Sequence, residues 1–323
     1  MPDPEGNKLP LILICGQTAV GKTAVAIELA RLINAEIISV DSMQVYRGMD
    51  IGTAKPTIEE RLSVPHHLID ILEITASFNA ADFVKLANEA ILNITARGKN
   101  VIMCGGTGLY FKAFLKGLGQ TPPPDKELRK ELEATPFELL LNELKEKDPI
   151  TYSKIDRNNP RRVVRAIEVI RTTGKPISQL RADWNQTSFQ SPFILFALKR
   201  DSADLRKRIN DRVDLMFKQG LVYETQKLLK LGLEQNPTAM QAIGYKQVVE
   251  YLRGERSYEE TVNLVKIRTW QFARRQMTWF KYQLPTNWIK IEADETAQQI
   301  AKKLLSYIQP KNLPQNTENK PYY

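Results

Sequence analysis

The chain has 323 residues, of which 42% are hydrophobic, so it can bury one large core or two modest ones. No apolar run approaches the roughly 20 residues of a membrane span, and the first residues do not resemble a signal peptide; we therefore expect a cytosolic protein. The net charge of +9 is uneven, because residues 1–120 carry 11 basic and 12 acidic side chains and the later residues carry 35 and 25. A neutral half joined to a basic half is typical of proteins that bind a large polyanion, although a generally basic protein has the same totals.

The first predicted strand, residues 10–15, leads into the most informative motif of the chain. Residues 16–23, GQTAVGKT, match the GxxxxGK[ST] phosphate-binding pattern and open a predicted helix over residues 21–34. Such a loop directs backbone N–H groups and the positive end of a helix dipole at a phosphate. An ordinary turn before a helix is the alternative, but the strand and the helix that the motif requires are both predicted. The expected diphosphate-binding residues are Gly16, Gln17, Thr18, Ala19, Val20, Gly21, Lys22 and Thr23.

Two of these side chains carry further chemistry. Lys22 would add a point charge to the phosphate site, and the Thr23 hydroxyl would ligate Mg²⁺, the cofactor that we expect.

The second predicted strand, residues 36–40, ends at an acidic residue, Asp41. The carboxyl ends of parallel strands form the ligand-binding edge of an open α/β sheet, so Asp41 should face the bound diphosphate. At that position Asp41 could be a metal ligand, a general base or a helix cap. The sequence leaves these three roles open.

The strand predicted at residues 101–104 ends in glycines followed by Thr107, without an acidic residue. A P-loop ATPase or kinase uses an Asp at the end of a second apolar strand to organise Mg²⁺. Its absence argues against a kinase or an RNA-dependent ATPase.

The remaining elements predict an α/β fold, a P-loop NTPase-like doubly wound parallel sheet with a helical insertion domain. A further strand is expected near 193–198. Prolines within residues 120–124 interrupt the pattern, so we expect a helical insertion at 121–191 and a discontinuous catalytic core of residues 1–120 and 192–308. The polar tail 309–323 is expected to be disordered. Further helices are predicted near residues 80–97, 125–147, 160–173, 202–219 and 221–231.

The cysteines and histidines do not form a metal-binding pattern. Cys15 and Cys104 each end an apolar strand, so we interpret them as small buried side chains rather than as ligands or a disulfide. His66 and His67 are assigned structural or positioning roles.

The helix at 160–173 has Asn159 as its predicted N-cap and Gly174 at its end. Arg162 and Arg165 lie three residues apart, outside its apolar stripe. Both arginine side chains are equally compatible with contact with RNA and with a position on the solvated face of the helix.

Three later segments leave similar alternatives open. The spacing of Arg206, Arg208 and Arg212 on the helix after residue 201 is most often that of a solvated helix face. Residues 241–247 are interpreted as a Gly-interrupted helix. Aromatic and basic side chains are interleaved in residues 270–281. We interpret the aromatic ones as part of the core and the basic ones as its solvated rim, in preference to a platform on which bases stack.

Several long segments of the chain are unusual in combination. They are GQTAVGKT (16–23), ISVDSMQVYRGMDIGTAKP (38–56), HHLID (66–70), GGTGLY (105–110), NPRRVVRAIEV (159–169), TGKP (173–176), RINDRVDLMFKQGLVYE (208–224) and MQAIGYKQ (240–247). With them the sequence resembles the tRNA dimethylallyltransferase family, also called tRNA isopentenyltransferases, from about residue 10 to about residue 285.

The resemblance implies transfer of a dimethylallyl group from dimethylallyl diphosphate to the exocyclic N6 amine of the adenosine 3′-adjacent to the anticodon. The implied catalytic residues are Asp41, Thr107 and Arg212. The resemblance places an arginine of the helix after residue 201 near the diphosphate; Arg208 and Arg212 are the candidates, and Arg212 is the better one. The implied partners are a tRNA anticodon stem-loop, whose target base must flip out of its stack, and the prenyl diphosphate. We expect a monomer without membrane attachment. The implied tRNA contacts are Asp41, Ser42, Met43, Gln44, Thr107, Arg129, Arg161, Arg162, Val163, Val164, Arg165, Ala242, Ile243, Gly244, Tyr245, Lys246 and Gln247.

One alternative within prenyl transfer remains. An adenylate isopentenyltransferase, which acts on free adenosine phosphates, would share Asp41 and the phosphate loop but would not need a helical insertion or a basic half.

Overall fold

The computed structural model describes residues 9–180, 189 and 191–308. The chain divides into two compact units, one made of the residues up to Lys112 and from Ser191 onward, the other of Ala113–Gln190. The first division lies within a helix, Gly108–Lys116, and not at the Pro-rich segment where we placed the insertion. The last turn of that helix belongs with the second unit because Phe114 packs against Phe189, with ring centroids 4.9 Å apart.

The first unit is built on a single sheet. In the described residues it has six parallel strands in the order β3-β2-β4-β1-β5-β6, which confirms the predicted doubly wound α/β architecture. The strands are β1 (Leu11–Gly16), β2 (Ala35–Val40), β3 (His66–His67), β4 (Asn100–Gly105), β5 (Phe193–Arg200) and β6 (Asn287–Ile291).

The two strands that we did not predict, β3 and β6, are the edge strands. β3 has two residues, both histidines, and β6 has the sequence NWIKI with polar residues facing out. Edge strands are covered on fewer sides than central ones, so they lack the long apolar run that marks β1, β4 and β5.

Helices cover the sheet, and the core lies between them and the central strands. β1 places Ile12 and Ile14 against α1, whose Val25 and Leu29 are also fully buried. Cys15 and Cys104 are buried free thiols, as predicted. The helices of the first unit are α1 (Lys22–Ile33), α2 (Ile58–Ser63), α3 (Ala80–Ala96), α4 (Gly108–Lys116), α10 (Ser202–Lys218), α11 (Leu221–Lys230), α12 (Tyr245–Leu252), α13 (Tyr258–Gln283) and α14 (Ala297–Ile308).

In its described residues the second unit contains helices and connecting loops but no strand. Its helices are α5 (Lys126–Ala134), α6 (Phe137–Lys147), α7 (Pro149–Lys154), α8 (Pro160–Thr173) and α9 (Ile177–Leu180). The prediction of one helix over 125–147 was wrong, because Thr135 is extended before Pro136, as a residue preceding proline prefers to be. The caps predicted for α8 are present, since Asn159 accepts a hydrogen bond from Arg162 N and Gly174 is left-handed with φ 69°.

The interpretation of residues 241–247 as a Gly-interrupted helix was also wrong. A short 3₁₀ turn covers Ala239–Gln241, and Gly244, with φ 99°, precedes the start of α12. A left-handed glycine ends the turn and lets a new helix begin, so it is a junction and not an interruption.

Two expectations concern the chain as a whole. None of the described helices is both long and apolar enough to span a bilayer. The predicted disordered tail, 309–323, lies outside the described residues.

Candidate active site

The predicted phosphate loop connects β1 to α1. The Lys22 ammonium donates to the carbonyl oxygens of Gly16 at 3.0 Å and Gln17 at 2.7 Å, so the loop curls around its own lysine. Gly16 adopts φ 142°, and a Cβ there would lie 2.5 Å from the Leu198 carbonyl oxygen of β5. The glycine therefore allows both the loop conformation and the close approach of β5.

A cavity of about 290 Å³ opens beside the loop, at the carboxyl edge of the sheet. Several predicted residues line it, but Gly16, Gln17, Val20, Ser42, Met43 and Thr107 do not. The predicted residues in its wall are Thr18, Ala19, Gly21, Lys22, Thr23, Asp41, Gln44 and Arg212.

The cavity wall is rich in positive charge. Lys22, Arg208 and Arg212 line it. In the described part of the chain, the Arg212 side chain makes no hydrogen bond or ion pair. Burial lowers the pKa of Lys22 to about 8, and Arg212 adds to that effect. Burial, together with the neighbouring Arg208, also lowers the pKa of Arg212. Asp41 and Glu60 also line the cavity, but within the described residues neither forms an ion pair with any of the three cations. Cations held close together without a paired carboxylate indicate a site for a multiply charged anion.

Asp41 uses one carboxylate oxygen to shape the turn that follows β2. Its Oδ1 accepts hydrogen bonds from the backbone N–H groups of Met43 at 2.8 Å and Gln44 at 3.2 Å. Within the described residues Oδ2 has no hydrogen-bond partner. No helix follows Asp41 before α2 in the described residues, so Asp41 closes a turn and does not cap a helix. Its second oxygen is left available for a base or a metal ligand.

Thr107 is tied to the same turn. Its hydroxyl accepts a hydrogen bond from Ser42 N at 3.2 Å, and its backbone N–H donates to the Val40 carbonyl at 3.2 Å. The turn after β2 and the loop after β4 are thus held side by side, although Thr107 does not line the cavity.

The missing acidic residue after β4 has a steric reason. A Cβ on Gly105 would lie 2.1 Å from the Val40 carbonyl oxygen of β2, so no side chain fits at this position. A P-loop ATPase or kinase has an acidic residue at the end of such a strand. In this chain Gly105 lies at that position, because β4 approaches β2 too closely there for any side chain.

The oxygen donors of the cavity suit Mg²⁺. Mg²⁺ is usually held by one or two protein oxygens together with phosphate oxygens and water. The Thr23 hydroxyl and the Asp41 carboxylate line one cavity and are such donors. In the described residues no cluster of three or more His, Cys, Asp or Glu side chains could hold a metal by itself.

Residues 44–283 match the family model described as IPP transferase. The chain belongs to this family. Its relative in Trichlorobacter lovleyi, a tRNA dimethylallyltransferase 1, is 45% identical over 283 residues, which cover 86% of this chain and 93% of that protein. The predicted family membership is confirmed.

Solved structures agree with the sequence relatives. The full-length tRNA isopentenylpyrophosphate transferase of Bacillus halodurans is 38% identical with a TM-score of 0.68, and the match covers 93% of this chain and 97% of that one. A eukaryotic dimethylallyltransferase acting on tRNA is 28% identical with a TM-score of 0.77, covering 96% and 82%. Members of the family thus share this fold over nearly its full length.

The arginines of the second unit differ in their surroundings. Glu168 is fully buried, and its carboxylate accepts hydrogen bonds from Arg129 at 3.0 Å and Arg165 at 2.6 Å. Burial opposes ionisation of Glu168, but the bonds from Arg165 and Arg129 outweigh it and lower its pKa. Arg161 and Arg162 are exposed. RNA contact by Arg129 and Arg165 stays a prediction. Arg129 also holds α5 to α8 through Glu168, whereas Arg165 pairs with Glu168 within α8 and donates to the Pro122 carbonyl ahead of α5.

The other predicted tRNA contacts are mostly buried. Val163 and Val164 belong to the core of the second unit, so their side chains are not available to RNA. Tyr245 donates its hydroxyl hydrogen to Glu224 at 2.6 Å, and Gln247 accepts from Gly244 N at 2.9 Å. In the segment 242–247 Ala242 is buried and Ile243 half-buried, and the exposed side chain is that of Lys246.

Sequence reasoning missed two polar residues that support the loop. Arg200, at the carboxyl end of β5, donates to the Val20 carbonyl at 2.9 Å and pairs with Asp204 at 3.0 Å. Its position at a strand end was a usable signal. Gln276, on α13, lies more than 250 residues from the loop that it contacts, and no local pattern marks it.

Proposed function

We propose that this protein transfers a dimethylallyl group from dimethylallyl diphosphate to the N6 amine of the adenosine 3′-adjacent to the anticodon of tRNA. The products are N6-(dimethylallyl)adenosine and diphosphate. The observation that carries the proposal is one cavity that combines a cationic phosphate loop with an Asp41 oxygen that has no partner in the described residues. Family membership supports tRNA as the acceptor.

The phosphate loop would hold the leaving diphosphate. Negative charge grows on its bridging oxygen as the C–O bond breaks, and Lys22 and Arg212 supply fixed positive charge where that happens. Mg²⁺, held by the Thr23 hydroxyl and the diphosphate, would supply further neutralisation. Arg208 keeps Ala19 in place through a 3.0 Å hydrogen bond to its carbonyl.

Asp41 would act as the general base. The lone pair of the exocyclic amine is delocalised into the adenine ring, so removing its proton assists the new C–N bond. Asp41 Oδ2 takes that proton while Oδ1 keeps the turn in shape through the N–H groups of Met43 and Gln44. Thr107 would keep the base or the amine in line from the neighbouring loop.

The second unit and the exposed basic residues would bind the tRNA. Arg162 on α8 and Lys246 on α12 are exposed and suit phosphate contacts. The target adenine lies in a stacked loop, so it must flip out to reach Asp41. An enzyme for free adenosine phosphates would not need this helical unit.

One assay tests the proposal. The protein is incubated with Mg²⁺ and labelled dimethylallyl diphosphate, with either unmodified tRNA or AMP as acceptor. We expect label in tRNA, at the adenosine next to the anticodon. Label in AMP but not in tRNA would favour the free-nucleotide enzyme, and tRNA-stimulated phosphate release from ATP would favour an ATPase.

A further inference from the structure

Gln276 contacts both loops of the active site with a single side chain. It lies on α13 and is 6% exposed. Its Oε1 accepts a hydrogen bond from Thr18 N in the phosphate loop at 2.7 Å. Its Nε2 donates to the Gly106 carbonyl, in the loop after β4, at 3.0 Å.

The hydrogen-bond pattern allows one orientation of this amide. Thr18 N can only donate and the Gly106 carbonyl can only accept, so a flipped amide would place like groups together at both ends. Space is equally restricted, since a Cβ on Gly106 would lie 2.5 Å from Nε2. Neighbouring contacts reinforce the arrangement, because Gln17 Nε2 donates to the Ala273 carbonyl one turn earlier on α13, at 3.1 Å.

The two loops have different tasks in the proposed reaction. The phosphate loop holds the prenyl donor, whereas Gly106 precedes Thr107, whose hydroxyl binds Ser42 N next to the base. The distance between the loops therefore determines how far the donor carbon lies from the amine and from Asp41.

We infer that Gln276 is a positioning residue that sets the distance between the donor loop and the base. This inference rests on the proposed prenyl transfer. Each end of the Gln276 amide bonds to a backbone group of one loop, and its side chain also lines the cavity. We assign its effect to the distance between the loops and not to contact with the reacting atoms. Bound reactants must lie within about 3–3.5 Å of each other in alignment, and a displacement of about 1 Å costs on the order of 100-fold in rate.

The test uses Gln276→Met, which keeps the length but loses both hydrogen bonds, and Gln276→Asn, which keeps the amide but is one carbon too short to span both loops. Thr261→Ala is the matched control, because Thr261 is fully buried on the same helix and donates to the Ser257 carbonyl at 2.8 Å, away from both loops. For each full-length variant we would measure the melting temperature, the Kd of dimethylallyl diphosphate, the Kd of tRNA and the single-turnover rate with both substrates saturating.

We expect single-turnover rates lower by about 10- to 100-fold in both Gln276 variants, with each Kd within about threefold of wild type. Thr261→Ala should lose melting temperature but keep its rate. A folded Gln276→Asn variant with a rate within threefold of wild type would overturn the inference, as would rate and affinity losses that parallel the change in melting temperature. If the wild-type protein transfers no label to tRNA, the proposed function itself fails, which is a distinguishable result.

Discussion

The substitution Asp41→Asn separates the roles that one carboxylate combines. Oδ1 accepts the N–H groups of Met43 and Gln44, and an Asn side-chain oxygen can accept the same two bonds. Asn and Asp both accept such turn-closing hydrogen bonds from the backbone, so the turn and the free energy of unfolding should be almost unchanged. The substitution removes the basicity of Oδ2.

The expected loss of rate follows from the size of general-base contributions. These amount to about 10²- to 10⁴-fold, or roughly 3–5 kcal/mol of barrier. The affinity for dimethylallyl diphosphate should stay equal or increase slightly, because a negative charge leaves the cavity that binds an anion. Single-turnover transfer to tRNA, with both substrates saturating, measures this loss without interference from product release.

Asp41→Ala is the matched control, because it removes the base and the turn-closing hydrogen bonds together. Its free energy of unfolding should fall by about 0.5–2 kcal/mol, which Asp41→Asn should avoid. If added Mg²⁺ restores most of the rate of Asp41→Asn, the residue acts mainly as a metal ligand. A single-turnover rate of Asp41→Asn near that of wild type would refute the assignment of Asp41 as the base.

Three further predictions concern the charged residues. Burial lowers the pKa of Lys22 to about 8, so its ammonium loses the proton as the pH rises through that value. Because the neutral amine attracts the diphosphate less, the Kd of dimethylallyl diphosphate, measured by calorimetry, should rise by up to about tenfold per pH unit above about pH 8. The same pH dependence in Lys22→Met would contradict this cause. Arg162→Ala should flatten the slope of log K for tRNA against log salt by roughly 0.7–0.9 with little change in melting temperature. Arg165→Ala should instead lower the free energy of unfolding by about 1–3 kcal/mol, because it removes a hydrogen bond from buried Glu168; equal melting temperatures for the two variants would show that Arg165 does not stabilise the unit.

The sequence by itself determined the features that depend on neighbours along the chain. The phosphate loop was predictable because a strand, a glycine loop and a helix start are consecutive, and its geometry depends on those residues. The caps of α8, Asn159 and Gly174, were predictable for the same reason. The position of Asp41 in the cavity wall was predictable because the carboxyl ends of parallel strands lie at the ligand-binding edge of the sheet.

Only the tertiary structure decided which residues from distant segments of the chain contact each other at the site. That Gly105 excludes an acid depends on β2 lying against β4, and that Arg129 binds Glu168 as well as any RNA depends on how α5 packs on α8. Gln276 lies 258 residues from Thr18 in the chain, yet its amide is 2.7 Å from the Thr18 N–H. Helical periodicity can predict that such a residue is buried, but its partners are set by the packing of α13 against two strand ends, which no local pattern encodes.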